Sequence, residues 1–160
     1  MHPMSGFTFP GGVGSIEIED TAAFDGSGSV QVSISRNQFA KEGSEFPDPE
    51  ALTAELGDDR EGRLGLDQEL SIRVTNLPTA DFDALEGAVE DHTDLWIKIL
   101  SLATKKGSST PLYEAVYNKV LLSNVARGPA KVDRESYGVV IIDGKTTGYR
   151  TDEIITVTQN

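Results

Sequence analysis

Apolar and polar residues alternate in several short segments of the chain, and this alternation predicts half-buried β-strands. Isoleucine alternates with glutamate at residues 16–19, and valine or isoleucine alternates with polar residues at 29–35. A turn signal at 25–28 separates the two segments, which predicts a hairpin. Further strands are predicted at 69–75, 95–100, 113–124, 135–143 and 154–158.

The two faces of the later strands differ in their polarity. The apolar face predicted for residues 95–100 holds Leu95, Ile97 and Ile99, with Trp96, Lys98 and Leu100 opposite. We expect Trp96 to lie in the core. Residues 139–142 form a continuous apolar run, Val-Val-Ile-Ile, which is typical of a strand covered on both faces.

One helix is predicted between the strands, at about residues 80–91. The strand before it is expected to end at Asn76-Leu77-Pro78, and Thr79 is expected to cap the helix. A single apolar stripe indicates that the helix packs on the sheet. The stripe consists of Phe82, Leu85 and Val89.

Residues 40–66 interrupt the strand pattern and predict a long projecting loop. Asp48 and Pro49 favour the start of a short helix, with Leu52 and Leu56 on one side. Residues 1–14, rich in glycine, proline and phenylalanine, predict an N-terminal arm before a single domain at 15–160. The fold class expected is therefore mostly β: an antiparallel sandwich or curled sheet, one flanking helix and a long inter-strand loop.

Composition limits the possible functions of this 160-residue chain. Its net charge of −12 argues against tight binding to nucleic acid, because phosphates need basic partners. It has no cysteine, and no apolar run approaches the roughly 20 residues of a membrane span. The start lacks the pattern of a secretion signal, so none is expected. An apolar share of 38% predicts a thin core or one completed by neighbouring molecules.

Catalysis and cofactor binding are not expected. The chain has residue types that serve in acid–base or nucleophilic catalysis, but they form no recognisable constellation; they are His92, Asp133, Glu135 and Ser136. The cluster Asp58-Asp59-Arg60-Glu61 lacks the ligand spacing of a calcium loop, so no metal is expected there. Acids are concentrated at 40–66 and 79–94, which indicates either a solvated surface or a surface that meets another subunit.

The order of elements resembles that of the bacteriophage tail tube family. The stretches that carry the resemblance are Leu95–Leu100 after the helix, Tyr117–Leu122, and Glu135–Ile142, which opens with Glu135-Ser136. It covers most of residues 16–158, and it depends more on the order of elements than on any one motif.

The resemblance implies a structural subunit rather than an enzyme. Such subunits form hexameric rings that stack into a tube with an acidic lumen, through which DNA passes without sequence-specific contacts. It implies a virion location and neighbouring tail proteins as partners. The lumen candidates are Glu17, Glu19 and Glu69. The candidates for contact with the adjacent ring are Glu45, Phe46, Leu52, Leu56, Asp58 and Asp59.

Two other functions stay open at this point. One is a related ring protein, such as a tail terminator or a secretion-tube subunit. The other is a monomeric β module that binds carbohydrate or protein through residues 40–66. Assembly into rings or tubes separates the tube subunit and the related ring protein from the monomeric binding module.

Overall fold

The computed structural model describes residues 13–45, 69–127, 136–146 and 155–159, with side chains described at 13–39, 69–127, 138–146 and 158. These residues form eight strands and one helix. They are β1 (Val13–Glu19), β2 (Gln31–Ser35), β3 (Phe39–Glu45), β4 (Glu69–Pro78), α1 (Thr79–Asp91), β5 (Asp94–Ser101), β6 (Tyr113–Arg127), β7 (Ser136–Thr146) and β8 (Ile155–Gln159).

All strands belong to one antiparallel sheet with the order β2-β1-β5-β6-β7-β4-β3, and β8 pairs with the first part of β6. The strands β2 and β3 stand six spacings apart, which is about 29 Å in a flat sheet. Only three residues connect them, and four peptide units reach at most about 14 Å. The sheet therefore curls into a half-barrel, which confirms the predicted mostly-β, curled fold with one helix.

The turn between β2 and β3, residues 36–38, is held to β4 by hydrogen bonds. These bonds connect the two ends of the curled sheet. The amide N–H of Thr75 donates to the Gln38 carbonyl at 2.8 Å, and Gln38 Nε2 donates to the Asn76 carbonyl at 3.0 Å. Gln38 also accepts from the Ser35 amide at 3.1 Å through Oε1. One glutamine thus links the end of β2 to β4 and maintains the curl.

The core lies on the concave side of the sheet, here called the inner face, which α1 covers. Leu95, Ile97 and Ile99 are fully buried there, as predicted from alternation. The helix contributes Phe82, Leu85 and Ala88, while Val89 of the predicted stripe packs on the core and remains partly exposed. The helix contacts β2, β4 and β6, so it covers the inside of the curl.

A β-bulge in β6 explains why its apolar residues do not alternate simply. Tyr117 pairs with Ile97 and Val120 pairs with Leu95, so β6 has one extra residue between these pairs. Lys119 lies in this bulge with φ 51°, a left-handed conformation. The bulge shifts the phase by one residue, so Val120 faces inward like Tyr117.

Two sequence-based expectations about burial were wrong. Val140 and Ile142 are fully buried, but Val139 and Ile141 are only half-buried, so β7 is covered on one face. Trp96 is also half-buried and lies on the face away from the core. Both cases follow from the single layer of the sheet: α1 covers only its inner face.

The ends of the helix also differ from the prediction. Pro78 occupies the N-cap position without a side-chain hydrogen bond, and Thr79 is already helical. Strand β4 continues to Pro78, which pairs with Ser136 on β7. Within it, Asn76 at φ 55° shifts the alternation by one residue, so Leu77 faces the core. The helix ends at Asp91, and His92 follows as the C-cap at φ 53°, while the Thr93 amide donates to the Ala88 carbonyl at 3.0 Å.

The predicted loop and arm are shorter than expected. Residues 40–45 belong to β3, which pairs with β4 up to Glu45 opposite Ser71. Val13 and Gly14, assigned to the arm, belong to β1. The sequence of β3 lacks a regular alternation of apolar and polar residues, so it did not predict a strand. The strand forms because it pairs with β4, a contact that local sequence does not encode. Residues 1–12 and 46–68 lie outside the described residues.

Candidate assembly surfaces and a covered acidic turn

The outer face is defined here as the side of the sheet opposite α1. Its side chains alternate with the buried ones, so Glu17 and Glu69 belong to it, as does Glu19. Glu17 lies opposite Lys98 on β5, and Glu69 lies opposite Lys145 on β7. Opposite charges across neighbouring strands attract, so two of the three lumen candidates have a basic residue directly opposite. Their position at a lumen stays a prediction.

The free edge of β2 exposes backbone groups without a charged residue to protect them. The Ser35 N–H donates to Gln38 Oε1 at 3.1 Å, and the Ser35 carbonyl accepts from the Gln38 amide at 3.0 Å, so both groups are directed at the turn after β2. Hydrogen-bonded and non-hydrogen-bonded pairs alternate in antiparallel strands, so Ser33 and Gln31 also direct their N–H and C=O away from β1. No strand in the described part of the chain pairs with this edge.

Edges of this kind are normally protected by charge, proline or a covering element. Strand β2 contains neither a charged residue nor proline, and its outward side chains are Gln31, Ser33 and Ser35. The edge of β2 is therefore suited to pairing with a strand of another molecule.

The turn between β1 and β2, residues 20–30, folds over the outer face. Phe24 places its ring 4.6 Å from Lys98 Nζ, a cation–π contact, although φ of 52° is unusual for a bulky residue. Gln31 Nε2 donates to the carbonyls of Gly26 and Gly28 at 2.8 and 2.7 Å. The turn is thus tied both to β5 and to β2.

Asp25 stabilises the tip of the same turn. Its Oδ1 accepts a hydrogen bond from the Ser27 amide at 3.0 Å. Hydrogen bonding from the Ser27 side chain and backbone lowers the pKa of Asp25 below its usual value. The tip is therefore ordered by a charged group that remains exposed.

Three side-chain oxygens where β1 passes into this turn have no hydrogen-bond partner. They are Glu19 Oε1, Asp20 Oδ1 and Thr21 Oγ1, and each is shielded from solvent. Glu19 as a whole is only 7% exposed. Gly28 faces Asp20 and Thr21 so closely that a Cβ there would collide with Asp20 Oδ1. Sequence reasoning missed this arrangement, since a glutamate on the outer face was expected to be solvated.

The rest of the described surface carries charge of both signs. Helix α1 exposes Asp83, Glu86 and Glu90 and has no basic residue in its last turn. Burial raises the pKa of Asp81 in the first turn. The connection between β5 and β6 carries Lys105 and Lys106 at an exposed tip, where Gly107 takes φ 76°.

A shallow cleft on the outer face is about 400 Å³ in volume. It is lined by Glu69, Leu70, Ser71, Ser123, Asp143 and Gly144. Ser71 Oγ donates to Asp143 Oδ1 at 2.8 Å, so the polar groups in the cleft are partly satisfied by each other. No group of three or more His, Asp or Glu side chains that could hold a metal occurs within the ranges described.

The residues expected to contact an adjacent ring are placed only in part. Glu45 ends β3, paired with Ser71, so it belongs to the sheet and not to a loop. The other candidates lie outside the described residues. They are Phe46, Leu52, Leu56, Asp58 and Asp59. Among the described helices, none is long and apolar enough to cross a membrane.

Comparison with known proteins gives a likeness in structure alone. No protein-family model and no curated protein sequence matches the chain. A crystal structure of an Hcp protein superposes with a TM-score of 0.45 and 7% identity, covering 92% of this chain and 99% of the other. The Hcp1 protein from the E. coli EAEC 042 pathovar, as a double tryptophan variant, gives 0.39 and 10%, covering 91% and 98%.

Proposed function

We propose that this chain is a structural subunit that assembles with copies of itself into rings that stack as a tube. The observation that carries the proposal is the unprotected edge of β2. Ser33 and Gln31 direct backbone N–H and C=O groups to that edge, and no charge there prevents pairing with another sheet. A strand from a neighbouring copy would satisfy these groups.

The narrower form of the proposal has two versions, which differ in what passes through the tube. A phage tail tube passes DNA and meets other tail proteins in the virion, and the order of elements resembles that family. A secretion-type tube passes other cargo, and the pairing of Glu17 with Lys98 and of Glu69 with Lys145 favours it. A bore whose acids are matched by lysines repels phosphate less than an acidic bore does.

The test is the oligomeric state of the purified chain at increasing protein concentration. Sedimentation velocity and negative-stain electron microscopy measure it. Stacked rings or hollow filaments support the proposal. Single closed rings that never stack contradict the tube and support a terminator-like ring. A monomer at all concentrations contradicts assembly and supports a binding module.

A second measurement separates the two versions of the tube. Gold-labelled antibody against the chain is applied to virions and to cell envelopes of the source organism. Labelling along virion tails supports the phage version, whereas labelling of envelope-associated tubes supports the secretion version.

A further inference from the structure

We propose that β8 of one copy pairs in parallel with the free edge of β2 of the next copy, so that one sheet continues from molecule to molecule. Resting on the self-assembly proposed above, this pairing identifies the segment of the neighbouring copy that β2 meets. The register of five strands and the composition of their two edges support it.

Five strands form a continuous part of the sheet in which β2 and β8 are outermost. Residues Tyr113–Tyr117 of β6 pair with β8, and most of them also pair with β5, so β8 lies on the side of β6 away from β5. Because β5 pairs with β1 and β1 pairs with β2, the order of this part is β2-β1-β5-β6-β8. Among the strands that the structure describes, none pairs with the far edge of β2 or of β8.

The registers of the four pairings place β2 and β8 at the same height. Ser33 is in register with Glu17, and Glu17 is in register with Lys98. Lys98 is in register with Val116, and Val116 is in register with Thr156. This row of outer-face positions therefore begins at one edge of the molecule and ends at the other edge.

The neighbouring row consists of core positions. Ile34, Ile16, Ile99 and Ala115 follow one another in register and are all buried, and Val157 is in register with Ala115. A joint between β8 and β2 keeps both kinds of row in line when the strands are level or shifted by an even number of residues. An odd shift would bring a core row against an outer row, so the alternation restricts the register of the joint.

The directions of the strands make the joint parallel. All four pairings are antiparallel, so β2, β5 and β8 run in one direction and β1 and β6 in the other. Copies related by rotation about a ring axis keep this direction, so β8 meets β2 in parallel. Two different edges meet in this joint, which is the heterologous contact that generates rings.

The edges of β2 and β8 are alike in length and in chemistry. Each strand has five residues, and neither contains a charged residue or proline. Strand β3, at the opposite end of the sheet from β2, carries Lys41, Glu42 and Glu45. Charged residues protect an edge strand against pairing with another molecule. The composition therefore favours β2 and β8, rather than β3, as the edges that join.

A twofold dimer through β2 alone is the simplest alternative. That joint would be antiparallel, and it would satisfy the backbone groups of Gln31 and Ser33 while leaving the far edge of β8 without a strand from the other copy. Pairing of β8 with β2 satisfies both edges through one repeated contact. The second arrangement is therefore favoured, because it leaves neither uncharged edge open.

Cysteine cross-linking tests the joint directly, because the chain has no cysteine of its own. Copies with Ser33→Cys and copies with Thr156→Cys are mixed at a concentration at which the parent assembles, and a short bis-methanethiosulfonate reagent is added. We expect a covalent dimer containing one copy of each variant, detected by non-reducing gel electrophoresis and located by mass spectrometry. Thr158→Cys replaces Thr156→Cys in a second mixture, which captures a joint shifted by two residues.

Three control reactions use the same conditions. Val157→Cys mixed with Ser33→Cys should give at least about tenfold less product than the better of the two threonine variants, because its row is a core row. Glu42→Cys on β3 should give no product with Ser33→Cys. A product of Ser33→Cys with itself would indicate the twofold dimer. Capture of Ser33→Cys by β3 or by itself, in place of β8, overturns the joint.

Hydrogen exchange gives a second readout without any substitution. On assembly, amides at 31–35 and at 155–159 should exchange at least about tenfold more slowly, because both edges acquire hydrogen-bond partners. Rings or tubes that form without this protection and without the product of β2 with β8 overturn the joint and leave the tube proposal intact. A chain that stays monomeric at all concentrations overturns both.

Discussion

Lys98 Nζ lies 4.6 Å from the centre of the Phe24 ring, so the β1–β2 turn is attached to the outer face of the sheet. Phe24 makes this contact from φ 52°, which is unfavourable for a residue with a Cβ atom. The cation–π attraction, about 0.5–2 kcal/mol, offsets part of the backbone strain.

Replacing Phe24 by alanine or glycine separates the ring from the backbone. Both variants lose the contact with Lys98, but only alanine keeps the strain of φ 52°. We expect Phe24→Ala to be less stable than Phe24→Gly by about 1 kcal/mol in urea unfolding, the reverse of the usual order. Equal stabilities, or a more stable alanine variant, would show that the left-handed conformation is not retained.

Proline at position 33 tests the edge of β2. The Ser33 amide is directed away from β1, so Ser33→Pro removes an edge donor while keeping the β1 pairing. Loss of one hydrogen bond at each contact should raise the concentration needed for assembly roughly tenfold. Sedimentation velocity measures this concentration.

Ser33→Ala is the matched control, because it loses the same hydroxyl but keeps the amide. It should assemble like the parent. Both variants should keep the parent's far-ultraviolet circular dichroism. If the proline variant folds and assembles normally, β2 does not take part in contacts between copies.

Asp25 and Asp81 should contribute to stability with opposite dependence on pH. Hydrogen bonds from Ser27 lower the pKa of Asp25, so its contribution is present above the unfolded value of 3.8 and is lost as pH falls through the lower folded pKa. Burial raises the pKa of Asp81, so the folded state favours its protonated form, and stability is lost as pH rises through the folded pKa.

Replacing each aspartate by asparagine measures its contribution to stability directly. At pH 7, Asp25→Asn should be less stable than the parent and Asp81→Asn more stable, the latter by less than about 1 kcal/mol because the helix dipole partly favours the charge. Both differences should shrink as pH falls to 3 in urea titrations. A change of the same sign for the two variants would contradict the assignment.

Deletions distinguish the loop from strand β3. Removing residues 42–64, which lie inside the loop predicted at 40–66, takes away the last part of β3 and its pairing at Glu45 with Ser71. We expect this variant to be destabilised by about 2 kcal/mol or more, because an edge strand and its hydrogen bonds are lost.

Removing residues 48–64 keeps β3 and β4 and leaves six residues to join them, within the usual length of a connection. This shorter deletion should retain the parent's unfolding midpoint within a few degrees in thermal circular dichroism. Unfolding of both deletion variants would show that residues 48–64 contribute to the fold.

The local parts of the fold were predictable because they depend on short-range periodicity. Alternation placed Ile97 and Ile99 on the buried face, and the stripe at Phe82 and Leu85 placed the helix on the sheet. A residue's neighbours two to four positions away determine such faces, so the pattern is present in the sequence itself.

The bulge at Lys119 and the shift at Asn76 were not predictable from the same pattern. Each inserts a left-handed residue that reverses the alternation for the remainder of its strand. Neither a lysine nor an asparagine by itself predicts a shift in the alternation. Pairing with the neighbouring strand decides where the extra residue lies.

The amino-acid sequence by itself determined the faces of the strands that alternate regularly, the helix and the acidic character of this protein. Tertiary structure alone decided that β2 and β3 lie at the two ends of one curled sheet, and that Glu19 is buried. The reason is that strand order and burial depend on contacts between distant segments, which local alternation does not encode.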